Sequence, residues 1–387
     1  MFSDSALPAL NGVSISVDAL VTELRAQGHS VHLFAPGFPG HKELDPNTVR
    51  SPYIVTPWAK SYPMAIPPFY RMLYEFRKHE YDIVHTHTPF TIGFVGLRWA
   101  QCHDLPIVST YHTLYDRYAH YVPYFPKGYI RYKIAKHTHY FYNHVQQVIC
   151  PSETAARWLM RHSVTTPITV IPTGVDKRKI LNRSECRAAL GMRPEEQTLL
   201  FVGRLAKEKN LDTLFQAAKQ IFSRQRNVRL FVVGDGPYRE QSRRIVRDLN
   251  IGDQVVFTGF VSKEEVVQYY AAADVFVFPS VTETQGLVIQ EAMLYGLPAV
   301  CTVGGGAGEA IIHGENGFLV KNEAAVIADH VLELLTADTL HAKLSNGAMQ
   351  SVHGKTIDSM CENVVNVYRR ALGEHIPDPF VDPIRVL

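Results

Sequence analysis

Short apolar runs alternate with amphipathic helical patterns along almost the whole chain, and this alternation constrains the fold more than any other feature of the sequence. Strands that alternate with helices form parallel, doubly wound sheets, whose ligands bind beyond the carboxyl ends of the strands. The sequence therefore predicts an α/β fold with two Rossmann-like, doubly wound parallel-sheet domains that face each other across a cleft. The predicted strands are residues 31–35, 82–85, 106–110 and 148–150 in the first half, and residues 198–202, 228–233, 255–258, 275–278 and 299–302 in the second.

The boundary between the two series of strands falls near Pro172, in a segment that contains proline and glycine. A chain of 387 residues has the length of two large domains. We predict an N-terminal domain over residues 1–172, a second domain over residues 173–356, and a C-terminal helix and tail over residues 357–387 that can cross back to the first domain. Residues 1–4 have room for only the end of a strand. Either the chain begins upstream of this methionine or the first sheet carries a very short strand.

Composition excludes several classes of protein. With 46% apolar and 20% charged residues the chain can bury a large core, which excludes a disordered or collagen-like protein. The formal net charge of +2 gives no overall reason to expect a nucleic acid partner. The five cysteines include no C-x-x-C pair, so neither a disulfide framework nor a zinc site is predicted. No apolar stretch approaches the ~20 residues that span a bilayer. We expect a cytoplasmic protein whose membrane contacts are peripheral.

Residues 278–292 form the most informative segment, which follows a predicted strand and opens a helix. The backbone N–H groups of Gly286 and Leu287 are expected at the N-terminus of that helix, where unpaired donors and the helix dipole favour a diphosphate. Glu283 precedes the helix and Glu291 lies inside it, and such carboxylates suit the hydroxyl groups of a sugar and of a ribose. Two glutamates at this spacing can equally be surface charges. The strand–loop–helix context favours the ligand site.

A second candidate segment, residues 202–210, also follows a predicted strand directly. Gly203 allows a close approach to the backbone, while Arg204 and Lys209 can converge on phosphate oxygens. A solvated turn of charges is the alternative, and for this segment alone it is the more common outcome. Both segments, however, lie at the carboxyl ends of strands in the same predicted domain, which favours one shared site.

The first half offers weaker candidates. Gly12 lies in an Asn-Gly turn before a helix and is a candidate contact for a phosphate or a sugar. His112 follows a predicted strand, where an imidazole can bond a sugar hydroxyl or a phosphate. His85 and His87 are interpreted as structural, because any single one of 18 histidines is more often structural than functional. No D-x-D motif or cluster of His and Cys offers metal ligands, so we expect no bound metal.

A family resemblance is carried by features that occur in a fixed order along the chain: the Asn11-Gly12-Val13 loop, His112, Arg204 with Lys209, and Glu283 with Glu291. As an ordered set they resemble glycosyltransferase family 4, the retaining enzymes of the GT-B fold, and the resemblance covers nearly the whole chain. It implies transfer of a hexose from a nucleotide sugar with retained anomeric configuration. It also implies that neither a metal nor another cofactor is required.

The resemblance further implies roles by position. The implied catalytic residues are His112, Arg204, Lys209 and Glu283, and the implied donor-binding residues are Gly12, Gly203, Gly286, Leu287 and Glu291. Arg204 and Lys209 would neutralise the diphosphate leaving group, while Glu291 would hold the ribose. Glu283 would hold the donor sugar, and His112 would contact that sugar from the other domain. A nucleotide sugar is already activated, so the paired carboxylates of a glycosidase are unnecessary.

The acceptor is suggested by residues 111–123, which are similar to the corresponding region of the diacylglycerol glucosyltransferases, a lipid-modifying branch of the family. Residues 117–152 then combine five basic residues with nine aromatic ones and contain no acidic residue. This composition suits a helix in the headgroup region of an anionic bilayer. A helix that packs its tyrosines under the first domain is the plainer alternative, and single-stranded nucleic acid is disfavoured. The candidate membrane and acceptor contacts are Tyr115, Tyr118, Arg131, Lys133 and Lys136.

The sequence therefore predicts a membrane-surface enzyme that moves a hexose, glucose from UDP-glucose, onto 1,2-diacylglycerol. Its expected partners are the nucleotide sugar, the lipid acceptor and the anionic inner face of the membrane, without nucleic acid. The same chemistry on phosphatidylinositol, on a sulfoquinovose lipid or on a soluble sugar remains open. A nucleotide-sugar epimerase and a non-catalytic lipid-surface binder are disfavoured. An epimerase needs no lipid, and a binder does not require Arg204, Lys209 and Glu291.

Overall fold

The structure is a computed structural model that describes residues 1–56, 63–117, 125–176 and 179–374. The chain divides into two compact units, the first comprising Met1–Gly174 and the last helix, the second Val175–Thr356. Each unit is an α/β domain built on parallel strands. The prediction of two Rossmann-like domains with parallel sheets is confirmed.

The first unit has eight strands and six helices among the described residues. The strands are β1 (Leu33–Pro36), β2 (Thr48–Ser51), β3 (Tyr53–Ile54), β4 (Met64–Ala65), β5 (Val84–Thr86), β6 (Ile107–Thr110), β7 (Gln147–Cys150) and β8 (Ile168–Val170). The helices are α1 (Gly12–Ala26), α2 (Tyr70–Arg77), α3 (Thr91–Cys102), α4 (Lys127–Tyr142), α5 (Glu153–Arg161) and α13 (Ile357–Ala371).

A single residue joins two parallel ladders in this unit. Strand β1 pairs with β2, and the strands β5, β6, β7 and β8 pair in that order. Phe2 forms parallel bridges to both Phe34 in β1 and Thr86 in β5. Its buried ring stacks on Phe34 with the ring centroids 4.6 Å apart. A Cβ at Gly96 in α3 would lie 2.6 Å from the Phe2 ring, so this glycine lets the helix approach the sheet.

The second unit is a six-stranded parallel sheet in the order β11-β10-β9-β12-β13-β14. Its strands are β9 (Gln197–Val202), β10 (Val228–Val233), β11 (Val255–Gly259), β12 (Val275–Phe278), β13 (Ala299–Thr302) and β14 (Gly317–Val320). Its helices are α6 (Arg183–Ala189), α7 (Leu211–Arg224), α8 (Arg239–Asp248), α9 (Lys263–Ala272), α10 (Leu287–Leu294), α11 (Ala324–Thr336) and α12 (Asp338–Val352).

Local sequence explains where the first helix begins and where the last one packs. Asn11 Oδ1 accepts hydrogen bonds from Val13 N and Ser14 N, and Ser14 Oγ accepts one from Asn11 N, which is a capping box. The apolar face of α1 packs against α13 in one buried cluster, which includes Val17 and Val364. The C-terminal helix therefore contributes to the core of the first unit.

Three predicted strands, residues 228–233, 275–278 and 299–302, coincide with observed strands, and the boundaries of the others are shifted by one or two residues. The sequence did not predict β2, β3, β4, β8 and β14. Each of these strands lies at the edge of its sheet, where it pairs on one side only. Edge strands are short and tolerate polar residues, so they lack the continuous apolar run by which central strands are recognised.

Candidate functional site

The carboxyl ends of β9 and β12 lie side by side in the second unit, although β10 and β11 separate these strands in the sequence. Such a reversal of strand order in a doubly wound sheet creates a crevice in which ligands bind. The segment after β9 carries Gly203, Arg204 and Lys209, and the segment after β12 carries Glu283. The strand order thus brings together the two segments that the sequence predicted separately.

Lys209 and Glu283 form an ion pair at this edge, in which Nζ donates to Glu283 Oε1. The two side chains are only 15% and 16% exposed. Ser280 Oγ lies 3.1 Å from the same carboxylate oxygen. Nζ of Lys209 also lies 5.6 Å from the ring centroid of Phe278, within the range of a cation–π contact. Because an ammonium group has three donors, Lys209 can bond a phosphate oxygen while it remains paired with Glu283.

The loop that carries Arg204 runs against the segment after β10. Gly203 N donates to Val233 O at 3.0 Å, and Leu205 N donates to Asp235 O at the same distance. Arg204 lies between these two anchored residues and is half-buried. The backbone of this loop is therefore fixed on both sides of the predicted guanidinium contact.

A run of three glycines after β13 supports Glu283 from the other side. Gly306 N donates to Glu283 O at 2.7 Å. Gly305 has φ +70°, and a Cβ there would lie 2.6 Å from Glu283 O. Residues 304–306 were not predicted as part of the site, although consecutive glycines shortly after a strand are a signal that could have identified this loop.

Helix α10 begins directly after Gly286, whose φ of +76° is a conformation that glycine adopts without steric cost. A Cβ at Gly286 would lie 2.9 Å from the Cβ of Ala307, which makes a larger residue doubly unfavourable. The structure places the backbone N–H groups of Gly286 and Leu287 at the N-terminus of this helix. There the helix dipole and the free backbone donors favour an anion.

Glu291 lies in the second turn of α10, and its Oε2 accepts a hydrogen bond from Tyr270 Oη at 2.8 Å. Burial raises the pKa of Glu291, and the hydrogen bond from Tyr270 and the charge of Lys263 oppose this shift. Lys263 forms an ion pair of 2.5 Å with Asp176. Tyr270 was not selected from the sequence, because it lies inside α9 and no local motif marks it.

Replacing Glu291 by glutamine tests this environment. A raised pKa means that the folded state holds the proton more tightly than the unfolded chain, so stability falls as pH rises from the ordinary glutamate pKa of about 4.5 to the raised pKa. Glutamine cannot ionise. The free energy of unfolding of Glu291→Gln, relative to the wild type, should therefore be higher at pH 7 than at pH 4. Urea unfolding at both pH values measures this difference, and an equal difference at both would contradict the assignment.

In the first unit the candidate site residue His112 lies beside His87. The sequence interpretation treated His87 as structural. His87 Nδ1 lies 3.1 Å from His112 Nε2. The neighbouring His85 is held between Tyr368 Oη and Thr110 Oγ1, each at 2.7 Å. Burial lowers the pKa of all three histidines, that of His112 to about 4. All three are therefore neutral near pH 7.

Gly12 is the first residue of α1, and the cap of that helix uses the side chain of Asn11. Gly12 is exposed, and a Cβ at this position would meet no atom within 4 Å. The geometry thus does not require glycine here. A contact between Gly12 and the donor stays a prediction from the family resemblance.

Helix α4 presents basic and aromatic side chains to solvent along its first turns. Nζ of Lys133 lies 5.5 Å from the ring centroid of Tyr129, so cations and rings are interleaved on this surface. The predicted contacts Arg131, Lys133 and Lys136 are all exposed. We call this set the α4 surface, and it consists of Phe125, Tyr129, Arg131, Tyr132, Lys133 and Lys136.

Part of the predicted aromatic surface belongs to the core instead. Phe141 and Tyr142, at the end of α4, are fully buried in the hydrophobic core of the first unit. Tyr115 is half-buried, with its ring centroid 4.9 Å from that of Phe90, and it lies outside α4. It therefore does not belong to the exposed α4 surface. Tyr118 lies outside the described residues.

Within the described ranges, no group of three or more His, Cys, Asp and Glu side chains is arranged to hold a metal ion. In the same part of the chain, no helix has both the length and the apolar character needed to cross a bilayer.

Comparison with protein families assigns both halves of the chain. Residues 10–179 match the family described as Glycosyltransferase Family 4, and residues 182–351 match Glycosyl transferases group 1. The first match covers most of the first unit, including His112 and the α4 surface. The second covers the segments that contain Arg204, Lys209, Glu283 and Glu291.

Curated relatives are similar to this chain over most of their length. An alpha-monoglucosyldiacylglycerol synthase from Streptococcus pneumoniae is 34% identical over 310 residues, which is 78% of this chain and 70% of the relative. A protein of the same name from Acholeplasma laidlawii is 28% identical and covers 97% of this chain and 99% of its own. A GDP-mannose-dependent alpha-mannosyltransferase from Corynebacterium glutamicum is also 28% identical, over 98% of this chain and 91% of its own.

Solved structures with the same fold include a sucrose-phosphate synthase from Thermosynechococcus elongatus, with a TM-score of 0.77 and 25% identity over 94% of each chain. The Anabaena protein HepE, solved in complex with UDP-glucose, has a TM-score of 0.74. Its identity is 19%, over 96% of this chain and all of that one. These likenesses extend over both units.

Proposed function

The chain belongs to glycosyltransferase family 4, and from this membership we propose that it transfers glucose from UDP-glucose to the hydroxyl group of 1,2-diacylglycerol with retention of anomeric configuration. The family itself makes the chain a nucleotide-sugar-dependent glycosyltransferase, and the diacylglycerol glucosyltransferases are the branch it resembles. One observation carries the proposal for the site. The Lys209–Glu283 pair at the reversal of strand order sets a cation for the leaving group beside an acceptor for sugar hydroxyls.

The leaving group is the first requirement of this reaction. Cleavage of a glycosyl–diphosphate bond leaves negative charge on phosphate oxygens, and preorganised donors stabilise that charge as it develops. We assign this role to the Lys209 ammonium group and the Arg204 guanidinium group, together with the backbone N–H groups at the start of α10. Burial of Lys209 strengthens its effect, because a partly desolvated charge is screened less than an exposed one.

The bond changes balance without an enzymic nucleophile. The bond between the sugar C1 and the phosphate oxygen breaks, and its electron pair stays on the diphosphate. A bond from C1 to the acceptor oxygen forms on the same face, and the acceptor proton passes to the departing phosphate oxygen. Glu283, paired with Lys209, accepts hydrogen bonds from sugar hydroxyls, and His112 contacts the sugar. Lys209 and Arg204 supply the positive charge, so we propose that no metal is needed.

The α4 surface supports a lipid acceptor. An acceptor that resides in a bilayer requires the enzyme to reach the interface, and exposed cations with amphipathic rings bind anionic headgroups there. Tyr132 is 61% exposed and Phe125 is 56% exposed, which leaves both rings available for insertion. We therefore propose peripheral association of the first unit with an anionic membrane.

The test is a transfer assay with labelled UDP-glucose and diacylglycerol in vesicles that contain anionic lipid, with and without a metal chelator. We expect a monoglucosyl lipid with an α linkage, formed equally in both samples. A β linkage would overturn retention, and loss of product with the chelator would overturn metal independence. No labelled lipid from folded protein that binds UDP would reject diacylglycerol as the acceptor.

GDP-mannose with phosphatidylinositol vesicles forms the second arm of the assay, because a GDP-mannose-dependent relative matches nearly the whole chain. Product in this arm alone would assign a mannosyltransferase of the same fold and chemistry. We expect product with UDP-glucose and none with GDP-mannose.

Neutralising the cations of α4 should weaken membrane binding. Each basic residue near an anionic surface contributes about 1 kcal/mol, so Lys133→Gln with Lys136→Gln should lower vesicle affinity roughly 30-fold at low salt. The difference should shrink at high salt, where the attraction is screened. Vesicle co-sedimentation at two salt concentrations measures the effect.

The matched control is Lys219→Gln with Lys355→Gln, which removes the same charge from exposed positions of the second unit. This double variant should bind vesicles like the wild type. Equal losses in both double variants would assign the attraction to net charge and reject the α4 surface as the membrane contact.

A further inference from the structure

Two neutral histidines face each other at hydrogen-bond distance at the carboxyl edge of the first sheet. His87 follows β5 directly, and His112 lies two residues beyond β6, the neighbouring strand. Their facing atoms, His87 Nδ1 and His112 Nε2, are 3.1 Å apart. Burial lowers the pKa of both rings, so neither is charged near pH 7 and each carries a single N–H. One ring must therefore donate to the other.

The far side of His87 decides which ring donates. His87 Nε2 is buried, and among the residues that the structure describes it has no hydrogen-bond partner. If His112 donated, His87 would have to carry its proton on Nε2, which would bury an unpaired N–H group. If His87 donates from Nδ1, its buried Nε2 carries no proton, and only an acceptor lone pair is left without a partner. Orphaned buried N–H groups are rarer in proteins than under-satisfied acceptors, so the second arrangement is favoured.

We propose that His87 is a positioning residue, which fixes His112 as the Nδ1–H tautomer and so makes it a hydrogen-bond donor to the transferred sugar. The inference rests on the proposed function, because it concerns the residue assigned to contact that sugar. An Nδ1–H group can donate to a sugar hydroxyl or to a phosphate oxygen. The opposite tautomer would present a lone pair on Nδ1, which cannot bond a phosphate oxygen.

The surroundings of His87 keep its ring in place. The ring of His85 packs against it with the ring centroids 4.0 Å apart and the ring planes tilted by 32°. Hydrogen bonds to Tyr368 and Thr110 hold His85 itself on both sides. The contacts from Tyr368 in α13 through His85 to His87 therefore all lie within one unit.

The test is nitrogen NMR of the full-length protein labelled with ¹⁵N-histidine, in which the His112 signals are assigned by their loss in His112→Gln. We expect a protonated Nδ1 and an unprotonated Nε2 for His112. The reverse pattern would overturn the proposal. This measurement needs no turnover, so it separates a failure of the inference from a failure of the proposed activity, which the transfer assay reports.

Two variants at position 87 extend the test. Asparagine places an amide near the position of Nδ1 and can still donate, whereas leucine cannot. His87→Leu should lose the tautomer preference of His112 and lower kcat/KM about fivefold to tenfold, the range expected for one hydrogen bond. His87→Asn should keep both the tautomer preference of His112 and kcat/KM close to those of the wild type. An unchanged His112 tautomer in His87→Leu would overturn the proposal, and the wild-type spectrum decides it where that variant does not fold.

Discussion

Replacing Lys209 by alanine should lower kcat/KM for sugar transfer by about 10²- to 10³-fold, the range found when one preorganised donor to a developing negative charge is removed. We expect a large loss because Lys209 is only 15% exposed, so water would not replace the charge that we propose acts on the leaving group. The effect should fall mainly on kcat, because the charge on the phosphate grows in the transition state. Steady-state kinetics with UDP-glucose and lipid vesicles measures it.

Lys207→Ala is the matched control. Lys207 lies in the same short 3₁₀ turn, Lys207–Lys209, but its side chain is exposed. It should retain transfer within about twofold of the wild type, since surface substitutions away from a site are nearly neutral. If Lys209→Ala lost less than tenfold, Lys209 would not be the principal cation for the leaving group.

The pair with Glu283 predicts non-additive effects. In Lys209→Ala the Glu283 carboxylate is left partly buried without its cation. The variant therefore combines the loss of a cation with an unpaired, partly buried carboxylate. The double variant Lys209→Ala with Glu283→Gln should therefore lose less than the product of the two single losses. Strictly multiplicative losses would show that the two residues act independently.

Much of this site could be predicted from the sequence, because each of its segments is recognised from neighbouring residues. The segment after β9 and the segment after β12 each carry their polar residues next to a buried strand, so periodicity alone placed them at a sheet edge. The contact between them was not accessible. Lys209 and Glu283 are 74 residues apart, and they meet only because β9 and β12 are neighbours in the sheet. Strand order depends on the packing of the whole domain.

Helix α4 shows a different limit of prediction from the sequence. Its composition predicted a membrane-facing helix, and its exposed cations agree with that prediction, but the sequence did not separate surface rings from core rings. Phe141 and Tyr142 are buried, whereas Tyr129 and Tyr132 are exposed. Tyrosine suits both environments, because its ring is apolar and its hydroxyl is polar. Only the packing of the last turn of the helix on the core distinguishes them.

The contact between His87 and His112 was not predicted, for a similar reason. His87 is one of 18 histidines, and nothing in its local sequence marks it as a partner of His112, 25 residues later. The pairing of β5 with β6 brings the two rings together. A residue that acts through another residue leaves a weaker sequence signal than one that binds the ligand itself.

The glycine run after β13 gives the second large effect, since Gly305→Ala should lower transfer about 100-fold. Its φ of +70° with ψ near 179° is a conformation that only glycine adopts readily, and a Cβ would lie 2.6 Å from Glu283 O and 3.0 Å from Val281 O. Both neighbours are backbone atoms that no side-chain rotation can relieve. The loop that carries Glu283 must therefore move, and a displacement of about 1 Å at a catalytic group can cost 100-fold.

Gly314→Ala separates this displacement from the general cost of removing a glycine. Gly314 also has a positive φ, of +79°, but a Cβ there would meet nothing within 4 Å. Both variants should lose stability, by about 1 to 3 kcal/mol for Gly305→Ala, because alanine is strained at positive φ. Only Gly305→Ala should lose transfer, measured alongside thermal unfolding and UDP binding. Equal activities in the two variants would mean that the position of Glu283 does not depend on the glycine run, and that its side-chain contacts with Lys209 and Ser280 hold it.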